Sequence, residues 1–170
     1  MTLGCRPMML VAIVADTHMP RGRRAIPPRC LKLMATAGLI LHAGDFVTEG
    51  VLSEIEAIGP PVYAVRGNVD SPELRRRLPV ETVVEVEKAL IGIVHDSGPS
   101  RGRLARLRRR FPEADAVVFG HSHLPSHERD ARFQIFNPGS PTERRRAPHH
   151  TMGLARVEKK TIEFELVVLD

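Results

Sequence analysis

The sequence has no tryptophan, a single tyrosine (Tyr63) and only 4% aromatic residues. It therefore lacks the flat platforms on which single-strand nucleic-acid binders stack bases. Its two cysteines, Cys5 and Cys30, are too few for a disulfide scaffold and are not spaced like a zinc ribbon. Reduced thiols in a cytoplasmic protein are expected, with neither singled out for function. The first apolar run starts at Met8 and Met9 and stops at Asp16, too soon for a signal peptide or a membrane helix. A glycine-rich phosphate loop and a Gly-x-Ser-x-Gly elbow are both missing, which argues against a P-loop nucleotidase and a serine hydrolase. There is no internal repeat, low-complexity stretch or linker. What is present is a chain of 170 residues, 42% hydrophobic, sufficient for one ordinary core and expected to be one domain over 1–170, with 1–7 a loose extension. The formal net charge of +5 favours anionic partners, and without aromatic platforms it points to phosphate more than to bases.

Five short polar clusters each follow an apolar run: Asp16-Thr17-His18, Gly44-Asp45, Gly67-Asn68-Val69-Asp70, His95-Asp96 and Gly120-His121-Ser122-His123. The runs before them, Met9 to Ala15, Leu39 to Leu41, Val62 to Val65, Leu90 to Val94 and Ala116 to Phe119, read as buried strands of an α/β sheet. The carboxyl edge of such a sheet is where these folds bind ligands, so clusters spread along the chain can converge there on a metal site.

Between the strands, a helix is expected from Pro27-Pro28 through Leu31, Leu33 and Met34 to Gly38, with Pro in its first turn and Gly past its end. Another runs from a Thr48 cap through Val51, Leu52, Ile55 and Ile58 to Gly59-Pro60. Ser71-Pro72 starts a short third helix and Ser100 a fourth, with Leu104, Leu107 and Phe111 on one face. The segments at 83–87 and 89–94 are too close for a parallel crossover and should pair antiparallel. In the last third, 133–136, 152–157 and 161–169 are expected strands, the alternation of Ile162, Phe164, Leu166 and Val168 marking a half-buried sheet. The expected architecture is an αββα sandwich of two mixed β-sheets flanked by helices.

The order carboxylate-His, carboxylate, amide, His, His-x-His, continued by Asn137-Pro138-Gly139-Ser140, resembles the calcineurin-like metallophosphoesterase superfamily. The short length, Gly-Asn-x-Asp in place of Gly-Asn-His, and the Asn-Pro-Gly-Ser loop look like its small branch of YfcE-type phosphodiesterases and the phosphoesterase-fold subunit of retromer. The resemblance implies that Asp16, His18 and His123 bind one divalent cation, that Asn68, His95 and His121 bind a second, and that Asp45 bridges them. A carboxylate can offer one oxygen to each of two cations, and this O and N ligand set suits Mn²⁺ first, with Ni²⁺, Fe²⁺ or Zn²⁺ as alternatives. Two such ions roughly 3.5–4 Å apart activate a bridging water and clamp a phosphate. Asp45, Asn68 and His121 are the residues expected at the reaction itself.

Other polar residues carry plainer expectations. His42 lies before Gly44-Asp45 with its side chain expected to point away from a ligand position, so support or packing is anticipated. His127, His149 and His150 should be solvated. The Asn137 to Ser140 loop is expected beside the site, orienting the ligating histidines. Of the arginine groups 75–77, 106–110 and 144–146, mostly solvated faces, the last is expected to overhang the site and meet a substrate phosphate. Val69 stands where many superfamily members have a histidine thought to protonate the leaving group. Asp70 is either a proton donor or a helix cap, and Asp96-Ser97 replaces the more usual Gly-His. The leading expectation is a metal-dependent phosphodiesterase acting on small phosphodiesters with a metal-bridged hydroxide, without membrane or nucleic-acid partners and with homo-oligomerisation left open. The alternative is a retromer-subunit-like interaction scaffold with a vestigial or structural metal site, and a nuclease ranks last.

Overall fold

Apolar residues alternate along β1 (Met9–Val14), so Val11 and Ile13 point to one face and Ala12 and Val14 to the other. In the computed structural model, which describes residues 8–170, both faces are covered, as a central strand of this kind requires. The 1–7 extension and Cys5 lie outside the described residues. β1 pairs parallel with β2 (Leu39–His42), β2 parallel with β3 (Val62–Ala64), and β1 antiparallel with β9 (Thr151–Glu158), which carries β10 (Thr161–Val168) on the outer edge. The second sheet runs β4 (Glu81–Val86), β5 (Ala89–Val94), β6 (Ala116–Val118), β8 (Gln134–Asn137) and β7 (Ser126–Arg129) in spatial order. Strands β5, β6 and β8 are parallel, and β4 and β7 close the two edges antiparallel.

The inner faces of the two sheets share one core that includes Val11, Ile13, Leu41, Ile91, Ile93, Val118, Phe136 and Ala155. Outside the first sheet, α1 (Pro28–Thr36) and α2 (Glu49–Glu56) bury Cys30, Met34, Leu52 and Ile55 against Ala12, Val14 and Ile40. Outside the second, α4 (Arg103–Arg110) buries Leu107, followed by Phe111, against Val117, Phe119 and Ile135. A short α3 (Pro72–Arg77) sets Leu74 into the first outer cluster. This is the expected αββα sandwich. No helix among the described residues is long and apolar enough to cross a membrane.

Several local expectations need correction. Leu31 is exposed and Cys30 takes the core position of α1 instead, because the buried pair Cys30 and Met34 is spaced by four residues and shares a face. Thr48 occupies the N-cap of α2 but makes no side-chain cap bond. α4 begins at Arg103, after Gly102 in a left-handed conformation (φ 69°), rather than at Ser100. In β10, Ile162 and Phe164 join the inner core, whereas Leu166 and Val168 are exposed and Val167 packs outward beneath the helices.

Candidate metal centre

All seven expected ligands lie just beyond the carboxyl ends of parallel strands, four from the first sheet and three from the second. Backbone bonds stitch the ends together: Ala43 N–H donates to the Val14 carbonyl (2.9 Å), Asp16 N–H to Gly44 (2.9 Å), His18 N–H to Asp45 (3.0 Å) and Gly120 N–H to His95 (3.0 Å). Five of the seven adopt left-handed backbone, with φ of 56° at Asp16, 43° at His18, 64° at Asp45, 71° at His121 and 60° at His123. Such turns are uncommon outside glycine and persist only where surrounding structure holds them. Glycines let the strand ends approach: a Cβ at Gly67 would overlap the Asp45 carboxylate, and one at Gly120 would stand 2.9 Å from Asp16 Oδ2.

The ligand atoms of Asp16, His18 and His123 lie within 4.8 Å of one another, as do those of Asp45, His95 and His121. Asp45 Oδ2 sits between the groups, 3.3 Å from His18 Nε2 and 3.2 Å from His95 Nε2. Asn68 Oδ1 joins the second group, 3.0 Å from His95 Nε2 and 3.1 Å from His121 Nδ1. Asn68 and His121 are exposed at the mouth, and the other five are buried. Asp16 Oδ1, His18 Nε2 and His123 Nε2 are buried without a hydrogen-bond partner. Orphaned polar atoms of this kind are costly, and one cation would satisfy all three. The donor set therefore fits divalent ions of the O- and N-liking class.

Burial opposes a charge on His18, but the Asp16 and Asp45 carboxylates outweigh it and lift its pKa to about 9. His95 is likewise raised, burial being overcome chiefly by Asp45. Burial also disfavours the Asp45 anion, yet His18 and His95 hold its carboxyl well below the usual carboxylate range. His123 is lowered, first by burial and then by the nearby charges of Arg145 and His18. The Asp45 carboxylate thus favours positive charge at His18 and His95, the same electrostatic demand that a divalent cation between them would meet.

The surrounding shell fixes two of the ligand imidazoles through backbone carbonyls. His95 Nδ1 bonds the Ala43 carbonyl at 2.7 Å and His123 Nδ1 bonds the Glu143 carbonyl at 2.5 Å, which turns each Nε2 inward. The Glu143 carboxylate faces His18 Nδ1 at 3.5 Å and is held by Arg24 at 2.7 Å. Sequence reasoning missed Glu143. Its signal was the Ser140-x-x-Glu143 spacing, since Ser140 Oγ accepts the Glu143 N–H at 2.8 Å and donates to the Asp16 carbonyl at 2.8 Å. Asn137 Nδ2 donates to the Gly120 carbonyl (3.0 Å) and to Ser122 Oγ (3.1 Å). The Asn-Pro-Gly-Ser loop thus lies beside the site as expected, but it braces the backbone of the ligand loops rather than the imidazoles.

Asp70 is neither proton donor nor cap. Its carboxylate accepts the N–H groups of Asp45 (3.2 Å), Gly67 (2.7 Å) and Val47 (2.8 Å), while the α3 cap is Ser71, which accepts the Leu74 N–H at 3.4 Å. His42 is fully buried and stacked on Phe46, accepting the Gly44 N–H at Nδ1 (3.1 Å) and facing Thr17 Oγ1 with Nε2 (3.3 Å). Burial, helped by the charges of His95 and His18, pushes its pKa down to about 3, so it packs as a neutral ring, as expected. His127 pairs with Gln134 (2.9 Å), and His149 and His150 lie near Asp170 (3.7 and 3.6 Å); none of the three falls in either ligand group. Of the last arginine group, Arg145 stands 4.0 Å from Glu143 Oε2, whereas Arg144 folds back onto the Ala147 carbonyl (2.9 Å) and Arg146 is exposed. The other groups are less passive than expected. Arg106 ties down the Ser97 carbonyl (2.8 Å) and Arg75 the Asn68 carbonyl (2.6 Å), each fixing a loop next to the site.

Known proteins resemble this chain in sequence and in fold. A calcineurin-like phosphoesterase superfamily domain matches residues 9–160. A probable metallophosphoesterase of Methanothermobacter thermautotrophicus is 32% identical over 165 residues, covering 94% of this chain and 92% of its own. The phosphodiesterase YfcE of Escherichia coli is 27% identical over 155 residues, covering 78% of this chain and 79% of its own. Among solved structures, Vps29 of Entamoeba histolytica complexed with Zn²⁺ shares the fold, with a TM-score of 0.76 and 22% identity over 95% of this chain and 100% of that one. The chain belongs to the calcineurin-like phosphoesterase superfamily.

Proposed function

We propose that the protein hydrolyses small phosphodiesters at a pair of divalent cations. Asp16, His18 and His123 hold one, Asn68, His95 and His121 the other, and Asp45 is shared. The reading is carried by the Asp45 carboxylate lying 3.3 and 3.2 Å from the inward nitrogens of His18 and His95; the orphaned buried donors add to it, and so does a relative named a phosphodiesterase. Cations in such a pair lower the pKa of water toward neutrality and offset charge on phosphate oxygens. The chain's own residues do the rest. Asp45 keeps both donor groups in register, while Asn68 and His121, exposed at the mouth, are the two donors a phosphate meets first. Water adds to phosphorus, the ester P–O bond breaks, and the departing alcohol must gain a proton, which Val69 cannot give.

The likeness to Vps29 favours a second reading, a protein-binding scaffold whose metal site is structural. One experiment separates them: chelator-treated protein is reloaded with Mn²⁺ and assayed on bis-p-nitrophenyl phosphate, p-nitrophenyl phosphate and cyclic nucleotides. Two ions per chain, with diester hydrolysis exceeding monoester hydrolysis and abolished by chelator, is the expected result. Asp45→Ala should lose both ions together. Tight retention of two ions by that variant would overturn the ligand assignment, and two bound ions with no hydrolysis of any ester would replace the enzyme reading with the scaffold one.

A further inference from the structure

A cavity of about 470 Å³ opens directly beside Asn68 and His95, and three arginines, Arg66, Arg75 and Arg110, line it. A cavity of that size holds a ligand well beyond a single phosphate. The acidic groups nearby do not balance the arginines. Arg110 pairs with Glu81 at 2.5 Å, and Asp96, the one carboxylate of the lining, accepts the Gly98 N–H at 2.7 Å. Arg66 and Arg75 have no acidic partner within 4.0 Å among the described residues; the Arg66 guanidinium donates to the Arg75 carbonyl (3.1 Å), and that of Arg75 to the carbonyls of Asp70 (2.9 Å) and Asn68 (2.6 Å). These bonds hold two planar donor forks against backbone and leave Arg66 Nε and Nη2 and Arg75 Nη1 unused, the arrangement that suits a phosphate. The remaining lining offers Val80 and Val94 but no phenylalanine, tyrosine or tryptophan, so charge rather than a large aromatic platform dominates the wall.

Building on the diesterase reading above, we infer that this cavity is a second anion subsite and that preferred substrates are phosphodiesters carrying a further phosphate on one of the esterified groups. The scissile phosphate meets Asn68 and His121, and the second phosphate is taken by Arg66 and Arg75. A guanidinium–phosphate pair of this kind contributes about tenfold to a hundredfold in binding.

The test uses two chromogenic diesters that differ only in the second phosphate, thymidine 5′-p-nitrophenyl phosphate and its 3′-phosphorylated counterpart, with Mn²⁺-loaded enzyme. The 3′-phosphorylated ester should be preferred at least tenfold in kcat/KM, and Arg66→Glu should bring that ratio to about one or below, with Arg66→Gln intermediate. In parallel, inorganic pyrophosphate is titrated into chelator-treated protein by phosphorus NMR, where Arg66→Glu should weaken binding at least fivefold; circular dichroism checks that each variant is folded. Hydrolysis of both esters at equal efficiency, or a ratio indifferent to Arg66, overturns the subsite and leaves the diesterase reading standing. Pyrophosphate binding that depends on Arg66, with neither ester hydrolysed, supports the subsite and overturns the diesterase reading.

Discussion

Asp70→Asn is a nearly isosteric change whose effect follows from three hydrogen bonds. Asp70 is 3% exposed, with Oδ2 accepting from Asp45 and Gly67 and Oδ1 from Val47. Two of these donors belong to residues in left-handed backbone, Asp45 at φ 64° and Val47 at φ 96°, so the carboxylate holds a turn that the chain would otherwise leave. An asparagine keeps the two bonds to its oxygen and turns its NH₂ against the Val47 N–H. The loss is one bond to a charged acceptor, about 1.5–3 kcal/mol, together with about 1–3 kcal/mol for a buried N–H without an acceptor. The two ranges together span about 2.5–6 kcal/mol, and because Val47 is only half-buried the lower end, about 2.5–3 kcal/mol, is expected, a large part of a typical domain's stability. Urea unfolding of chelator-treated protein should show a lower midpoint at an unchanged slope. Ser71→Ala, which removes only the α3 cap, should cost about 1 kcal/mol. A cost for Asp70→Asn no greater than that of Ser71→Ala would refute the idea that Asp70 builds the Asp45 turn.

Three more outcomes can be measured. Glu143→Gln removes the carboxylate opposite His18 Nδ1 but keeps the carbonyl that receives His123 Nδ1; calorimetry should show about 10–100-fold weaker cation binding at one of two sites, and equal weakening at both would contradict the assignment. The leaving alcohol has no residue at 69 to protonate it, so aryl diesters should be cleaved far faster than alkyl ones, and Val69→His should accelerate alkyl esters at least tenfold more than nitrophenyl esters, part of the about 10²–10⁴ that a general acid contributes; an equal gain on both would show that protonation is not limiting. His42 titrates near 6.5 when unfolded and at about 3 when native, so between those values the unfolded chain binds the extra proton and stability falls as pH is lowered. From pH 6.5 to 4.5 metal-free wild type should lose about 2–3 kcal/mol more than His42→Gln, and parallel losses in the two proteins would remove His42 from the account.

The strands, the antiparallel pairing of β4 with β5 and the gathering of the polar clusters at one edge were readable because each rests on a local signal. Val11 to Val14 and Ile91 to Val94 are apolar without interruption, and each run ends in a polar cluster that the topology must place at one edge. What escaped sequence reading depends on contacts between distant segments. Glu143 reaches His18 only because the loop after β8 folds over the end of β1, and Arg66 lines a cavity only because β3 and β5 end side by side. The alternation in β10 misled for a related reason. Period-two patterning tells which residues share a face but not whether that face is covered, and Leu166 and Val168 are exposed on theirs. Asp70 shows a different limit: a carboxylate next to a Ser-Pro helix start looks like a cap, and only the positions of three remote N–H groups reveal its use.

Asp16, His18, Asp45 and Asn68 come from the first sheet, and His95, His121 and His123 from the second. Contacts such as His121 N–H on Asp16 Oδ2 (2.9 Å) and His95 on the Ala43 carbonyl (2.7 Å) cross the gap. Cations held in that seam would rivet the two sheets at one rim, and their loss would loosen the sandwich rather than a surface loop. Because a ligand confined to the native state stabilises it by mass action, the supply of such a metal in the surroundings would set how long each molecule survives proteolysis. A shortage would then clear the idle protein instead of storing it.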